Sequence, residues 1–515
     1  MEQPVFEKIY LKTASKTHVI QLRAECKTDL NNDGSVKVVH LSAFPVLSVA
    51  ELSDGKLRFS GKVTFFAFCQ GENGELKKVE RGTEFSGDIL GDDLKAEGTV
   101  ISSVKCLKSE VSYDGTKLSF AATLEISATA TYNRTEDALI SCEDLIIKEE
   151  EREIIKSLGV KKGNYPVEDG FTVNYPVAEV LMQRAEVTVS SVTPAVGCII
   201  VEGETLVSAI LLQNGDKSNI IREDRNIPFR IEADFEEAMP SAIATARATV
   251  NSLKTDITVD EEKGVSDISF SVSLFIETEA SYRDRLKIAE DVFSLTKEIT
   301  FEKCKETLPK LIETFSFPLN ISGVTVDGDM PENYNVITIL SEKAEVVAVE
   351  GNTEGSTENN GDISENSVSV TGVLSAEILL ESENKLSAHR VETPFTVTVT
   401  PPDVKFSGKI CAVKITPKKP TVKINGKGEI ELSCEAVCSL DSAAETDIEF
   451  IKSVEDAGDK KAVNDAVSVY IAGEGEDLWS LSKRLSVCPS SVALTNPELQ
   501  FPLTGEERII IYRQL

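Results

Sequence analysis

A glycine stands at the centre of an alternating apolar pattern three times in this chain, and no other feature constrains the fold as much. The three copies are 57–67 around Gly61, 199–209 around Gly203 and 368–378 around Gly372. Alternation with a period of two over this length predicts a half-buried β-strand. Glycine weakens a strand unless a bulge, a bend or a close backbone approach requires it. We therefore expect these three glycines to be architectural.

A second strand pattern and a landmark phenylalanine accompany each glycine. Alternation runs from Phe120 to Tyr132, recurs over 270–282 at the same interval, and recurs over 432–440 without the closing tyrosine. The phenylalanines between the two patterns are Phe85, Phe229 and Phe395. The chain therefore predicts a mainly β fold with three diverged repeats of about a hundred residues. A sandwich and a barrel are both compatible with each repeat.

Composition shifts and turn residues divide the chain into candidate domains. The predicted units are β-rich repeat 1 at 1–140, a bridging segment at 141–174, repeat 2 at 175–290, a second bridge at 291–333, repeat 3 at 334–455, a linker at 456–466 and a small βααβ domain at 467–515. The charged stretches 148–156 and 301–313 favour helices within the bridges. A polar, low-complexity stretch at 350–367 predicts a loop insertion inside repeat 3.

Composition excludes several functions. A net charge of −31 argues against nucleic-acid binding and against docking on anionic lipid. No apolar run is long enough to span a bilayer, and residues 1–7 lack the basic start and apolar core of a secretory signal. The ten cysteines form no CxxC pair, which favours buried thiols in a reducing cytosol.

An enzymatic constellation is not visible in the sequence. Three histidines, His18, His40 and His389, leave few candidates for a catalytic triad or a metal site. Glycine-rich stretches such as 71–74 lack the lysine and the hydroxyl residue of a phosphate-binding loop. We therefore predict no catalytic residue, no metal ligand and no cofactor.

The C-terminal fifty residues have a sequence pattern different from that of the repeats. A short strand near Tyr470 is followed by a glycine-containing turn, and Asp477 occupies the position of a helix N-cap. A second helix begins at Pro489 and ends before Asn496-Pro497, and a last strand covers 508–512. The order is strand, helix, helix, strand.

This segment resembles a LysM domain. The matching positions are Gly475, Leu478, Trp479, Leu481, Asn496, Pro497 and Gly505. Many sugar-binding members have Asp-Thr where this chain has Glu476-Asp477, so a hydroxyl for the glycan is replaced by a carboxylate. The resemblance implies a binding groove, and the candidate partner-binding residues are Gly475, Glu476, Asp477, Leu478, Trp479, Asn496, Pro497, Glu498 and Leu499. Trp479, the only tryptophan, could alternatively fill the core of this small domain.

Three acidic β-rich repeats followed by one C-terminal LysM domain resemble the SPOCS (DUF3794) family of endospore-forming bacteria. The resemblance implies a non-enzymatic protein of the mother-cell cytoplasm that is recruited to the forespore surface and supports spore-coat encasement. Its implied partner is the coat-basement ATPase, stage IV sporulation protein A, bound through the LysM domain. The alternative is a protein whose LysM domain binds peptidoglycan or cortex glycan, and an extracellular adhesin is a third possibility.

Overall fold

The glycine-centred segments become the central strands of three antiparallel sheets, one in each repeat. This computed structural model describes residues 3–30, 36–72, 74–214, 219–307, 311–326, 334–351, 367–383, 385–399, 409–425, 429–444, 447–461 and 466–512. The loop insertion predicted at 350–367 lies almost entirely outside these ranges.

The first repeat contains two sheets that enclose a core. Its strands are β1 (Val5–Ala14), β2 (His18–Asp29), β3 (Val36–Ser53), β4 (Lys56–Gly71), β5 (Leu76–Leu90), β6 (Thr99–Tyr113) and β7 (Lys117–Ser141). One sheet has the order β3-β4-β5, and in the other β7 pairs with β1, β2 and β6. The rings of Phe65 and Phe120 stack between the two sheets with centroids 5.5 Å apart. The repeat is therefore a sandwich.

The second and third repeats follow the same plan. The second contains β8 (Ile146–Val173), β9 (Val177–Ala195), β10 (Cys198–Gln213), β11 (Ile220–Asp234), β12 (Ile243–Asp260) and β13 (Val265–Phe293). The third contains β14 (Lys297–Thr307), β15 (Leu311–Val326), β16 (Asn335–Gly351), β17 (Val368–Ser382), β18 (Lys385–Val399), β19 (Lys409–Ile424), β20 (Glu429–Ala444) and β21 (Asp447–Asp459). Sheets β9-β10-β11 and β16-β17-β18 face sheets β12-β13-β8 and β15-β20-β19. The mainly β fold is thus confirmed.

The helices expected in the bridging segments are wrong. Residues 148–156 lie within β8, and each of these nine residues pairs with β13. The described part of 301–313 lies in β14 and β15. The physical reason is strand pairing: residues 148–156 pair with β13 and residues 301–307 pair with β21. In the first segment the exposed acids Glu149, Glu151 and Glu153 alternate with less exposed residues, and Ile154 is buried. The stretches 141–174 and 291–333 therefore contribute strands to the sheets of repeats 2 and 3.

The three repeats meet in one shared apolar cluster, which we call junction A. Its members are Val39, Phe68 and Leu76 from repeat 1, Leu181, Met182, Ile210 and Ile220 from repeat 2, and Leu340, Leu379 and Leu386 from repeat 3. These positions correspond between repeats. Phe68, Ile210 and Leu379 each stand seven residues after the repeat glycine. Each repeat therefore contributes the same part of its glycine-centred sheet to junction A.

Polar contacts surround junction A and differ between pairs of repeats. Between repeats 2 and 3, Arg222 donates two bonds of 2.7 and 2.9 Å to Glu342, which also accepts from Arg184. The Glu342 side chain is 2% exposed. Between repeats 1 and 3, Nδ1 of His40 bonds the Glu377 carboxylate at 2.8 Å.

The far ends of the long strands form a second shared cluster, junction B. It contains Ile9, Leu11 and Ala138 from repeat 1, Ile154, Leu286 and Ile288 from repeat 2, and Ile448 and Phe450 from repeat 3. The extension of β8, which lies in the predicted bridge 141–174, reaches this cluster together with the paired part of β13. Each repeat is thus held to the other two at two separated places.

Candidate functional site

The C-terminal unit, residues 467–512, has the predicted order of elements. Strand β22 (Val467–Ile471) is followed by α1 (Leu478–Leu485), α2 (Pro489–Thr495) and β23 (Arg508–Tyr512), and β22 pairs antiparallel with β23. Leu481, Leu485, Val492, Ile509 and Ile511 form its buried core. Among the helices of the described residues, none has the length and apolar content needed to cross a membrane.

The turn before α1 brings two of the predicted segments together. Gly475 has a φ of +76°, and its N–H donates to the Leu503 carbonyl at 2.8 Å. In return the N–H of Leu503 donates to the Glu476 carbonyl at 2.9 Å. The turn at 475–476 and the chain that follows Asn496 are therefore neighbours.

Asp477 and Glu476 both accept hydrogen bonds from other residues of the C-terminal unit. Asp477 is the N-cap of α1, as predicted, and its carboxylate accepts from the Ser480 N–H at 2.6 Å. Glu476 accepts from Arg484 Nε at 2.8 Å and from the Gly473 N–H at 3.0 Å. Hydrogen bonding by Arg484 lowers the pKa of Glu476, and hydrogen bonding by Ser480 lowers that of Asp477. Both oxygens of the Glu476 carboxylate are thus engaged within the unit, whereas Asp477 is exposed and accepts through one oxygen.

Asn496 has a structural role in this arrangement. It is 4% exposed and donates to the Val492 and Ile510 carbonyls at 3.0 and 2.9 Å. Its side-chain oxygen accepts from the Ile510 N–H at 2.8 Å, so the amide ties α2 to β23. Leu499 packs against the unit's core, whereas Pro497 and Glu498 are exposed. Of this second predicted segment, only Pro497 and Glu498 present side chains to solvent in full.

Trp479 faces the second repeat. Leu478 contributes to the apolar core of the C-terminal unit, and Trp479 on the next position lies outside that core and is half-buried. Its indole Nε1–H donates to Asp291 at 2.7 Å, and its ring meets the ring of Phe293 edge to face at 5.1 Å. The core-filling alternative therefore does not describe this tryptophan.

Further contacts surround this site and come from residues that the sequence analysis did not select. Lys483, one turn after Trp479, donates to Asp291 at 2.6 Å and lies 5.2 Å above the ring centroid of Phe301. Lys460 donates to the Ser294 carbonyl and to the Ser486 hydroxyl at 2.8 and 2.7 Å. We call the set Trp479, Lys483, Asp291 and Phe293 the tryptophan site. The sequence indicates only the α1 part of this site, because the spacing of Trp479 and Lys483 places both on one helical face.

Burial and the hydrogen bonds from α1 together set the pKa of Asp291. Burial alone raises the pKa of this carboxyl, but hydrogen bonds from Lys483 and Trp479 outweigh burial and lower the pKa below its ordinary value. The anionic form is therefore the one that fits between the indole N–H and the ammonium group.

A cavity beside Glu342 is lined by Arg184, Arg222 and Lys418, and carboxylates of Glu342 and Glu204 bind these cations. Within the ranges that the structure describes, no group of three or more His, Cys, Asp or Glu side chains is placed to hold a metal ion.

Comparisons with protein-family models, with curated proteins and with solved structures found no match to this chain.

Proposed function

We propose that this chain is a non-enzymatic scaffold of the spore envelope, in which three joined β-sandwiches carry a small unit that binds a protein partner. The observation that supports protein binding is the tryptophan site. The face of α1 that carries Trp479 already binds protein side chains of the same chain, namely the carboxylate of Asp291 and the ring of Phe293. A flat indole with one N–H beside a lysine is a typical protein-contacting pair.

The resemblance to SPOCS proteins supplies the setting of the proposal. In this setting the protein lies in the mother-cell cytoplasm at the forespore surface and contributes to coat encasement. Its partner is an ATPase like stage IV sporulation protein A. The carboxylate of Glu476 favours this reading over glycan binding, because Arg484 and the Gly473 N–H engage both of its oxygens within the unit.

Localisation in sporulating cells tests the proposal. The full chain is fused to a fluorescent protein and compared with Trp479→Ala and with Leu494→Ala, a control on α2 whose side chain is 86% exposed. We expect Trp479→Ala to lose enrichment at the forespore and Leu494→Ala to keep it. Equal enrichment of the two variants contradicts the proposal. Sedimentation of the full chain with purified peptidoglycan, abolished by Trp479→Ala, supports glycan binding instead.

A further inference from the structure

An irregularity in β13 directs the side chain of Asp291 toward Trp479. The pairing of β13 with β8 shifts register between Ala289 and Asp291, so Glu290 is an extra residue in the strand. A bulge of this kind changes the direction in which the following side chain points. Glu290 pairs with Lys148 at 2.9 Å, and Asp291 points to Trp479 and Lys483.

The groups that fill the tryptophan site form a short peptide motif. Asp291 supplies a carboxylate that accepts from two donors, and Phe293, two residues later, supplies an aromatic ring against the indole. Residues two apart on a strand lie on the same side, which brings the acid and the ring to one face of α1. The motif is thus acid, any residue, aromatic.

The contact between Asp291 and the Trp479–Lys483 face is of a kind that an external ligand can replace. The side chains of Asp291 and Lys483 are 20% and 37% exposed, so water reaches their ion pair. The C-terminal unit is joined to the repeats by the short segment from Asp459 at the end of β21 to Val467. A short connection gives the internal motif a high effective concentration even when its intrinsic affinity is low.

Positive charge beside the site indicates the chemistry of a competing ligand. The adjoining cleft is lined by Lys460, Lys461, Lys483 and Arg484, together with only two acids, Glu298 and Asp459. Arg484 is paired with Glu476, so Lys460, Lys461 and Lys483 are the cations that a ligand in the place of Asp291 would meet. An acidic segment fits such a surface better than a neutral or basic one.

We propose that residues Asp291–Phe293 are an internal ligand of the Trp479–Lys483 face, and that the external protein partner displaces them with an acidic segment that carries an aromatic residue two positions after an Asp or Glu. This inference rests on the proposed function and adds the chemistry of the partner and a closed state of the site. In the closed state the chain occupies its own binding face. The partner binds when it outcompetes the internal motif.

The closed state is tested first, without any partner. Trp479 is the only tryptophan, so fluorescence of the full chain reports on this site alone. We expect Asp291→Asn to shift the emission to longer wavelength and to increase the acrylamide quenching constant at least twofold. The matched control is Glu290→Gln, which removes the neighbouring carboxylate that faces Lys148 and should leave both quantities unchanged. Identical quenching of Asp291→Asn and the unmodified chain overturns the closed state.

The chemistry of the ligand is tested with a labelled peptide of residues 286–296, which contains Asp291, Val292 and Phe293. Its anisotropy is measured with the full-length Asp291→Asn variant and with the unmodified chain. We expect at least tenfold tighter binding to the variant, and loss of binding when Asp291 of the peptide is Asn or Phe293 is Ala. Equal binding to both chains, or no binding to the variant, overturns the inference. Failure of the proposed function appears separately, as unchanged localisation of Trp479→Ala.

Discussion

The ring of Phe229 lies across the backbone of Gly203, its register partner in the neighbouring strand. A Cβ at position 203 would stand 2.7 Å from Cζ of that ring and 2.2 Å from the Thr188 carbonyl oxygen. Gly61 with Phe85 and Gly372 with Phe395 repeat the relationship. The glycine and the phenylalanine of each repeat are therefore two parts of one packing arrangement.

Replacing Gly203 by alanine should destabilise the second repeat. The Thr188 carbonyl belongs to a paired strand, so relief requires a backbone shift as well as a ring movement. We expect a loss of about 1–3 kcal/mol in local unfolding free energy, the usual cost of overpacking. Hydrogen exchange of the amides in β10 and β11 measures this loss.

Gly170→Ala is the control for that substitution. Gly170 also lies in a strand of the second repeat, and a Cβ there would have its nearest neighbour, the Ile268 carbonyl oxygen, at an ordinary 3.5 Å. Its exchange protection should stay within error of the unmodified chain. Equal protection in the two variants would show that the strand tolerates a Cβ at Gly203.

Glu342→Gln should weaken the contact between repeats 2 and 3. The substitution leaves the side chains of Arg184 and Arg222, which are 12% and 8% exposed, without their shared anion. Breaking a buried ion pair by removing one partner costs about 3–5 kcal/mol. We expect the urea midpoint of the first unfolding transition to fall. Glu345→Gln, at a position 57% exposed, is the control and should leave the midpoint unchanged.

Acid should release the C-terminal unit from Asp291. Because the pKa of Asp291 is lowered in the docked state, its contribution to docking is complete above the ordinary value of 3.8 and is lost as the pH falls below it. Acrylamide quenching of Trp479, followed between roughly pH 5 and pH 2, should therefore rise with a midpoint below 3.8. The Asp291→Asn variant should lack this step, and a midpoint above 3.8 would contradict the assignment.

Cys488 should be the first of the described cysteines to react with a thiol reagent. Hydrogen bonding with Ser490 lowers the pKa of Cys488, and burial raises the pKa of Cys434 to about 12 and of Cys438 to about 11. The thiolate is the reactive form. Peptide mapping after brief alkylation of the native chain at about pH 8 should show Cys488 modified well before Cys434 or Cys438. Earlier labelling of Cys434 would contradict this order.

Alternation and turn chemistry predicted most of the fold because each strand has one buried face. The patterns around Gly61, Gly203 and Gly372 all became central strands, and Asp477 became a helix cap. The error at 148–156 has a physical cause. The acids there occupy the exposed positions of a long strand, and a charged, weakly apolar run shows the same composition in a helix.

The sequence predicted the part of the candidate site that lies in the C-terminal unit, but not the part that the second repeat contributes. Trp479 was identifiable because it belongs to a motif and is unique in the sequence, but Asp291 is one of 85 acidic residues. The two are 188 positions apart, and no local pattern relates them. Their juxtaposition depends on where β13 ends and on the extra residue at Glu290, which are properties of the folded sheet.

Junction A also has an evolutionary consequence. Three separate copies of one repeat, assembled as a symmetric trimer, would have to use the same contact at every subunit boundary, since a single substitution would appear three times. Covalent linkage removes that restriction. The boundary between repeats 2 and 3 could acquire the Arg222–Glu342 pair while the boundary between repeats 1 and 3 acquired His40 and Glu377. The linked repeats could thus specialise individually, and Asp291, the residue that meets Trp479, belongs to the second of them.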